Sequence, residues 1–175
     1  QNTLNLKIDR VTYTPQHLLF DSLKKIEPFL IPESEEAEFM YSTQTILAEA
    51  LKNINLEKIR RGVVHLDIWA DNLNVTTDGE ICLFDFDFCG NGWLCMDIAY
   101  HLMMLKMMTP DEKIYQEKSA SFYKGYEGIC GISEEEKRLL PYLATSLFFF
   151  YLLLKSCLSC FVLFFIFPAV FKTVI

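Results

Sequence analysis

The feature that most constrains the fold is a short stretch in which acidic and amide residues follow predicted strands at close intervals. Residues 62–72 read G-V-V-H-L-D-I-W-A-D-N and contain the spacing H-x-D-x-x-x-x-N. The β-branched pair at 63–64 predicts a strand, and residues 72–75 and 81–86 predict two more. Thr77-Asp78-Gly79 has the composition of a hairpin turn. A small β element therefore gathers these polar residues near its strand ends.

Three of these polar side chains suit the chemistry of phosphoryl transfer. Mg²⁺ held against phosphates takes oxygen ligands and few of them from protein, and Asn72 and Asp85 offer such oxygens. An acceptor hydroxyl needs a carboxylate within hydrogen-bond distance, which Asp67 supplies on the loop before the hairpin. His65 is better placed to brace that loop. The spacing predicts that Asp67, Asn72 and Asp85 meet around one point. The alternative is that they are ordinary turn-forming residues.

Helical patterns flank the β element on both sides. In the second predicted helix, Phe39, Ile46 and Leu47 are among the residues expected to face the core. Because the strands are grouped rather than alternating with helices, the predicted fold class is α+β. The predicted helices cover residues 15–30, 35–53, 96–107, 110–126 and a long apolar segment that starts near 134, with caps at Thr14, Ser34, Thr109 and Ser133.

The charge balance narrows the classes of partner. The chain has 175 residues and a formal charge of −7, which argues against a nucleic-acid binder that neutralises many phosphates. An acidic surface suits a cationic small molecule.

Six cysteines lie scattered through apolar runs rather than in a disulfide framework, which predicts reduced thiols in a cytoplasmic protein. Cys157 and Cys160 form an isolated C-x-x-C pair without the further ligands of a zinc site.

The tail from 139 to 175 is unusually apolar and leaves three interpretations open. Residues 139–154 and 156–171 are two uncharged runs separated by Lys155. Each run is shorter than the roughly 20 residues that span a bilayer. Buried helices of a C-terminal bundle are the preferred interpretation. A membrane segment and a non-native sequence produced by a frame change are the alternatives.

The stretch from about 62 to 99 resembles the catalytic core of the aminoglycoside phosphotransferase and choline kinase superfamily. The family pattern is V-x-H-G-D-[LI]-x-x-x-N, a hairpin, [IL]-D-[FW]-[DE] and G-x-x-x-x-D-[LI]-A, and its parts occur here in order. The resemblance implies a protein-kinase-like fold. It also implies ATP as co-substrate, Mg²⁺ as cofactor, and transfer of the γ-phosphate to a hydroxyl of a small molecule such as an amino alcohol, an aminoglycoside or a sugar-like compound.

The same resemblance implies roles for individual residues. Asp67 would be the catalytic base, and Asn72 and Asp85 the metal ligands. Asp97 and His65 would support the loop. Two further residues, Asp87 and Trp69, are candidates for contact with the substrate.

The chain departs from the family pattern in two ways. Leu66 stands where the family has glycine, and no glycine precedes Gly62, so no phosphate-covering glycine-rich loop occurs upstream. We therefore expect residues 1–175 to form a single partial domain, a C-terminal lobe without its N-terminal lobe. The alternatives to an active kinase are a catalytically inactive truncated remnant or a pseudokinase-like binding module, with tethering to a membrane by the tail as a further possibility.

Overall fold

The computed structural model of the protein describes residues 3–156, with side chains to residue 152. The expectations for Cys157, Cys160 and the rest of the tail lie outside the described residues. Helices supply most of the described structure, and two separate two-stranded antiparallel sheets lie between them. The elements are a π-helical turn (Gln16–Asp21), α1 (Ser22–Ile26), a 3-10 turn (Glu27–Phe29), α2 (Glu35–Lys52), a 3-10 turn (Leu56–Lys58), β1 (Arg61–Val64), a 3-10 turn (Ala70–Asn72), β2 (Leu73–Val75), β3 (Ile81–Leu83), β4 (Gly90–Trp93), α3 (Cys95–Met108), α4 (Glu112–Glu127) and α5 (Glu134–Ser156).

The predicted hairpin forms one of the two sheets. Strand β2 pairs with β3 in the register Leu73↔Leu83, and Gly79 takes a left-handed φ of +87° in the connecting turn. The strands are shorter than predicted, and β3 ends at Leu83.

The other sheet pairs β1 with β4, a strand that the sequence pattern did not predict. Residues 90–93 read G-N-G-W, which has weak intrinsic strand preference. Gly62 of β1 and Gly90 of β4 are needed because another backbone approaches closely: a Cβ on Gly62 would lie 2.0 Å from the Thr3 carbonyl oxygen, and one on Gly90 would lie 2.7 Å from that of Val11. Strand β4 therefore depends on tertiary contact rather than on local preference.

That approaching backbone is the N-terminal segment, residues 3–13. Its main organiser is Asn91, which is only 8% exposed. The Asn91 side chain accepts from Ile8 N (2.9 Å) and donates to the carbonyl oxygens of Ile8 (3.0 Å) and Arg10 (3.2 Å). The Asn91 backbone also bonds in both directions with Val11 and Tyr13, at 2.8 Å each. One asparagine thus fixes the segment against β4.

Helix caps explain where the long helices begin. Ser34 accepts from Ala37 N (3.2 Å), as predicted. At α4 the prediction was wrong by two residues: Asp111, not Thr109, is the cap and accepts from Ile114 N (3.0 Å). Asp111 is extended and offers a carboxylate to the positive end of the helix, so Pro110 lies outside it.

The buried face of α2 agrees with the predicted one except at Ile46. Leu47 is buried and Phe39 packs against the core, but Ile46 is 49% exposed, and Met40 and Thr43 complete the buried face. The hydroxyl of Thr43 concealed its place on this face from a pattern based on apolar residues.

Helix α5 is the centre of the core. Leu139, Leu143, Leu147 and Phe149 are almost fully buried, and the helix packs against α3, α1 and α2. Within the described part of the chain, no helix combines the length and hydrophobicity needed to cross a bilayer.

A buried ion pair anchors the start of α5 to the strand region. Arg60 donates to both carboxylate oxygens of Glu136, from Nε and Nη2, at 2.8 Å each. The Glu136 side chain is fully buried and completes the predicted capping box with Ser133. Burial would raise the pKa of Glu136, but hydrogen bonds from Arg60 and from the backbone amides of Ser133 and Arg60 outweigh it and hold that pKa below its usual value.

We expect Glu136→Gln to destabilise the fold by about 3 kcal/mol, because breaking a buried pair leaves the Arg60 guanidinium without a counter-charge. Urea unfolding at pH 7 measures this. Since the folded-state pKa of Glu136 is lowered, its stabilisation is present above the unfolded value of about 4.3 and is lost as pH falls through the folded value. The difference between wild type and variant should therefore shrink below about pH 4. Glu134→Gln, at a side chain that is 90% exposed, should leave the urea midpoint unchanged.

Candidate active site

The loop between β1 and β2 is held by a carboxylate from α3. Asp97 accepts from His65 N (3.0 and 3.1 Å) and from Leu66 N (2.8 Å). Burial raises the pKa of Asp97, and the two backbone amides oppose that rise. The side chain that was predicted to support the loop thus bonds directly to the loop backbone.

His65 joins this loop to the end of β3. Its Nδ1 accepts from Asp67 N (3.1 Å), so the ring proton lies on Nε2, which donates to the carbonyl oxygen of Phe84 (3.1 Å). The ring centroid also lies 4.7 Å from that of Phe86. His65 is 4% exposed, so it braces the loop from inside the fold.

Both carboxylate oxygens of Asp67 are hydrogen-bonded. Oδ1 accepts from the Tyr100 hydroxyl (2.5 Å), and Oδ2 accepts from Asn72 Nδ2 (2.7 Å). Asn72 Nδ2 also donates to the backbone carbonyl of Asp67 (3.0 Å), which closes the loop on itself. The Asp67 carboxylate is therefore held in one orientation at the start of the hairpin.

Asp85 lies across the hairpin from Asn72. Phe84 N donates to the Asn72 carbonyl oxygen (3.2 Å), which extends the β2–β3 pairing by one step and places Asp85 at the next position. Asp85 is exposed and takes a left-handed φ of 62°, and its Oδ1 accepts a long contact from Asp87 N (3.4 Å). The structure thus brings Asp67, Asn72 and Asp85 to the same end of the hairpin, as predicted.

The two candidates for substrate contact occupy different surroundings. Asp87 is exposed beyond the end of β3. Trp69 is half-buried and packs against the core, two residues after Asp67. No group of three or more His, Cys, Asp or Glu side chains is arranged as a metal site in the described residues.

Sequence reasoning missed two tyrosines at this site. Tyr100 donates to Asp67, and Tyr151 of α5 donates to the carbonyl oxygen of Leu66. Tyr100 lies one helical turn after Asp97, so the i, i+3 spacing was the available signal. Nothing in the sequence marks Tyr151, because it reaches the loop only through tertiary packing.

Leu66 takes a left-handed φ of 58° and is fully buried. Leu66→Gly relieves strain of about 1–2 kcal/mol but removes a buried side chain whose loss costs about 3–5 kcal/mol. We therefore expect a net loss of about 2 kcal/mol in the free energy of unfolding, measured by chemical denaturation. A gain in stability would mean that backbone strain outweighs packing at this position.

Comparison with known proteins identifies a matching family and several relatives. The model of the phosphotransferase enzyme family matches residues 10–131. An uncharacterized protein of Synechocystis is 29% identical over 139 residues, which cover 79% of this chain and 37% of that protein. A homoserine kinase of Bradyrhizobium diazoefficiens is 30% identical over 106 residues, which cover 61% of this chain and 31% of that enzyme.

Two solved structures share the fold. An amicoumacin kinase in complex with AMP-PNP and Ca²⁺ superposes with a TM-score of 0.68 at 22% identity, over 92% of this chain and 48% of that one. A microcompartment-associated aminopropanol kinase gives 0.66 at 20% identity, over 94% and 50%. The α+β prediction is confirmed at the level of a mostly helical, kinase-like fold with small antiparallel sheets.

The chain spans about a third of the length of these curated relatives and about half of the solved structures. The matched segment itself covers more than half of the chain and contains the loop, the hairpin and Asp97. On this evidence the chain belongs to the phosphotransferase enzyme family.

Proposed function

We propose that this chain provides the catalytic loop and metal ligands of an ATP- and Mg²⁺-dependent kinase that phosphorylates a hydroxyl of a small molecule. In this proposal residues 3–156 correspond to the C-terminal lobe of a protein-kinase-like fold. The observation that carries it is the Asp67 carboxylate, which is held through both oxygens. Asn72 donates to one of them, and Asp85 follows the residue that pairs with Asn72 across the hairpin.

Asp67 is proposed as the catalytic base. Each carboxylate oxygen has two lone-pair positions, so the bonds from Tyr100 and Asn72 leave room to accept a proton from the substrate hydroxyl. A carboxylate held in one orientation loses little freedom when the substrate arrives. His65 and Asp97 act by fixing the loop backbone, and Asp87 and Trp69 are proposed to contact the substrate.

Asn72 and Asp85 are proposed to hold Mg²⁺. The Asn72 nitrogen faces Asp67, which leaves the amide oxygen for a cation. The exposed Asp85 carboxylate is available as well. One amide and one carboxylate suit an ion that takes its other ligands from phosphates and water. When bound, Mg²⁺ would neutralise the negative charge of the triphosphate.

An amino alcohol is the proposed acceptor class. The formal charge of −7 favours a cationic compound. The similar proteins named for homoserine and aminopropanol support the same class, since both compounds carry an amine and a hydroxyl.

The test is Mg²⁺-dependent release of ADP from ATP, in the 175-residue chain and in the longest translated product that contains it. The acceptor panel comprises homoserine, 1-amino-2-propanol, choline and an aminoglycoside. Acceptor-dependent ADP release that is lost on chelation of Mg²⁺ would support the proposal. No ADP release with any acceptor, together with no Mg-ATP binding by calorimetry, would instead favour a non-catalytic binding module.

A further inference from the structure

A tyrosine that the family pattern does not include contacts the proposed base. Tyr100 lies on α3, is 2% exposed, and donates its hydroxyl to Asp67 Oδ1 at 2.5 Å. Burial and the neighbouring carboxylate raise the pKa of Tyr100 above its usual value. The phenol therefore keeps its proton at neutral pH and serves as a hydrogen-bond donor.

Two helices restrain Tyr100 and the loop that carries Asp67. Asp97, one turn earlier on the same helix, binds the backbone of the loop that carries Asp67. On the other side the Tyr151 ring lies 5.2 Å from the Tyr100 ring, and the Tyr151 hydroxyl donates to the carbonyl oxygen of Leu66. Two helices, α3 and α5, thus fix the tyrosine and the loop relative to each other.

We propose that Tyr100 is a positioning residue that sets the side-chain orientation of Asp67, an inference that rests on the proposed function. The bond from Asn72 to Oδ2 restrains only one oxygen of the carboxylate. The bond from Tyr100 to Oδ1 restrains the other, so the two together hold the Asp67 side chain in a single χ1 rotamer. Tyr100 contacts Asp67 and acts on the reaction through it.

Removal of the hydroxyl should free the carboxylate without emptying the core. Tyr100→Phe keeps the buried ring and its packing on Tyr151. Asp67 would then sample a second rotamer in which it no longer faces the acceptor hydroxyl. We expect kcat to fall about tenfold, since a hydrogen bond to a charged group is lost, with KM for ATP within twofold of wild type.

The experiment compares wild type, Tyr100→Phe and the control Tyr142→Phe, which removes a hydroxyl from α5 at a cavity beside α2. Steady-state kinetics use ATP and whichever acceptor of the panel gives the fastest ADP release. In parallel, NMR three-bond couplings of selectively labelled aspartate report the χ1 rotamer of Asp67. Thermal melting verifies that all three proteins are folded.

A tenfold fall in kcat for Tyr100→Phe alone, with averaged Asp67 couplings, would support the inference. Wild-type kcat, or a reduced kcat with an unchanged single rotamer, would overturn it. If wild type transfers phosphate to no acceptor, the proposed function fails, but the Asp67 couplings still test the positioning role. Averaged couplings in Tyr100→Phe alone support that role. Identical couplings in all three proteins reject it.

Discussion

Replacing Asp67 with asparagine should lower kcat by about 10³-fold and leave Mg-ATP affinity close to wild type. Asparagine cannot take a proton from the acceptor hydroxyl. It also has a single acceptor oxygen, whereas Asp67 accepts from both Tyr100 and Asn72. One of those two donors would lose its partner, so the loop should also lose part of its order.

Turnover with a responsive acceptor and calorimetry with Mg-ATP measure the two effects separately. Asp71→Asn is the matched control, because Asp71 is an exposed carboxylate four residues further along the same loop. Its kcat should stay within twofold of wild type. An Asp67→Asn enzyme that retained a tenth or more of wild-type turnover would rule out Asp67 as the base.

Asp85→Asn should weaken Mg²⁺-dependent nucleotide binding about tenfold or more, because the ion loses its charged protein ligand. Asparagine is chosen because Asp85 has a left-handed φ of 62°, a conformation that asparagine tolerates better than alanine does. The loss should therefore report ligand charge rather than backbone strain.

Calorimetric titrations of ATP with and without Mg²⁺ test this directly. Asp78→Asn, an exposed carboxylate in the hairpin turn, serves as the control and should bind as wild type does. Equal Mg²⁺ dependence in Asp85→Asn and wild type would show that the metal assignment is wrong.

Local sequence signals predicted much of the site. The turn at 77–79 and the β-branched residues fix the hairpin, and the hairpin alone brings Asn72 next to the residues that end β3. The bracing role of His65 was expected from its place beside the loop, and the supporting role of Asp97 from the resemblance to the family. The hairpin depends on neighbours in sequence, which a local pattern can record, whereas Asp97 and Leu66 are 31 residues apart and only the family pattern connects them.

Other parts of the site depend on contacts between distant segments. Strand β4 is rich in glycine and forms because residues 3–13 pack against it. Tyr151 reaches Leu66 only because α5 crosses the loop. At position 66 the sequence has leucine where the family has glycine. The sequence did not show that Leu66 would take a left-handed backbone conformation. No local propensity encodes such long-range contacts.

The packing of α5 against the first helical turns has a consequence during synthesis on the ribosome. The ring of Tyr13 meets that of Phe150 edge-on at 5.6 Å, and the neighbouring Leu18 and Leu19 are fully buried. At about 5–20 residues per second, translation reaches Phe150 on the order of ten seconds after Tyr13. Until then the apolar face of the nascent N-terminal helix lacks its partner, so it is a natural site for chaperone capture, and a stop codon before Phe150 would yield a product unable to bury it.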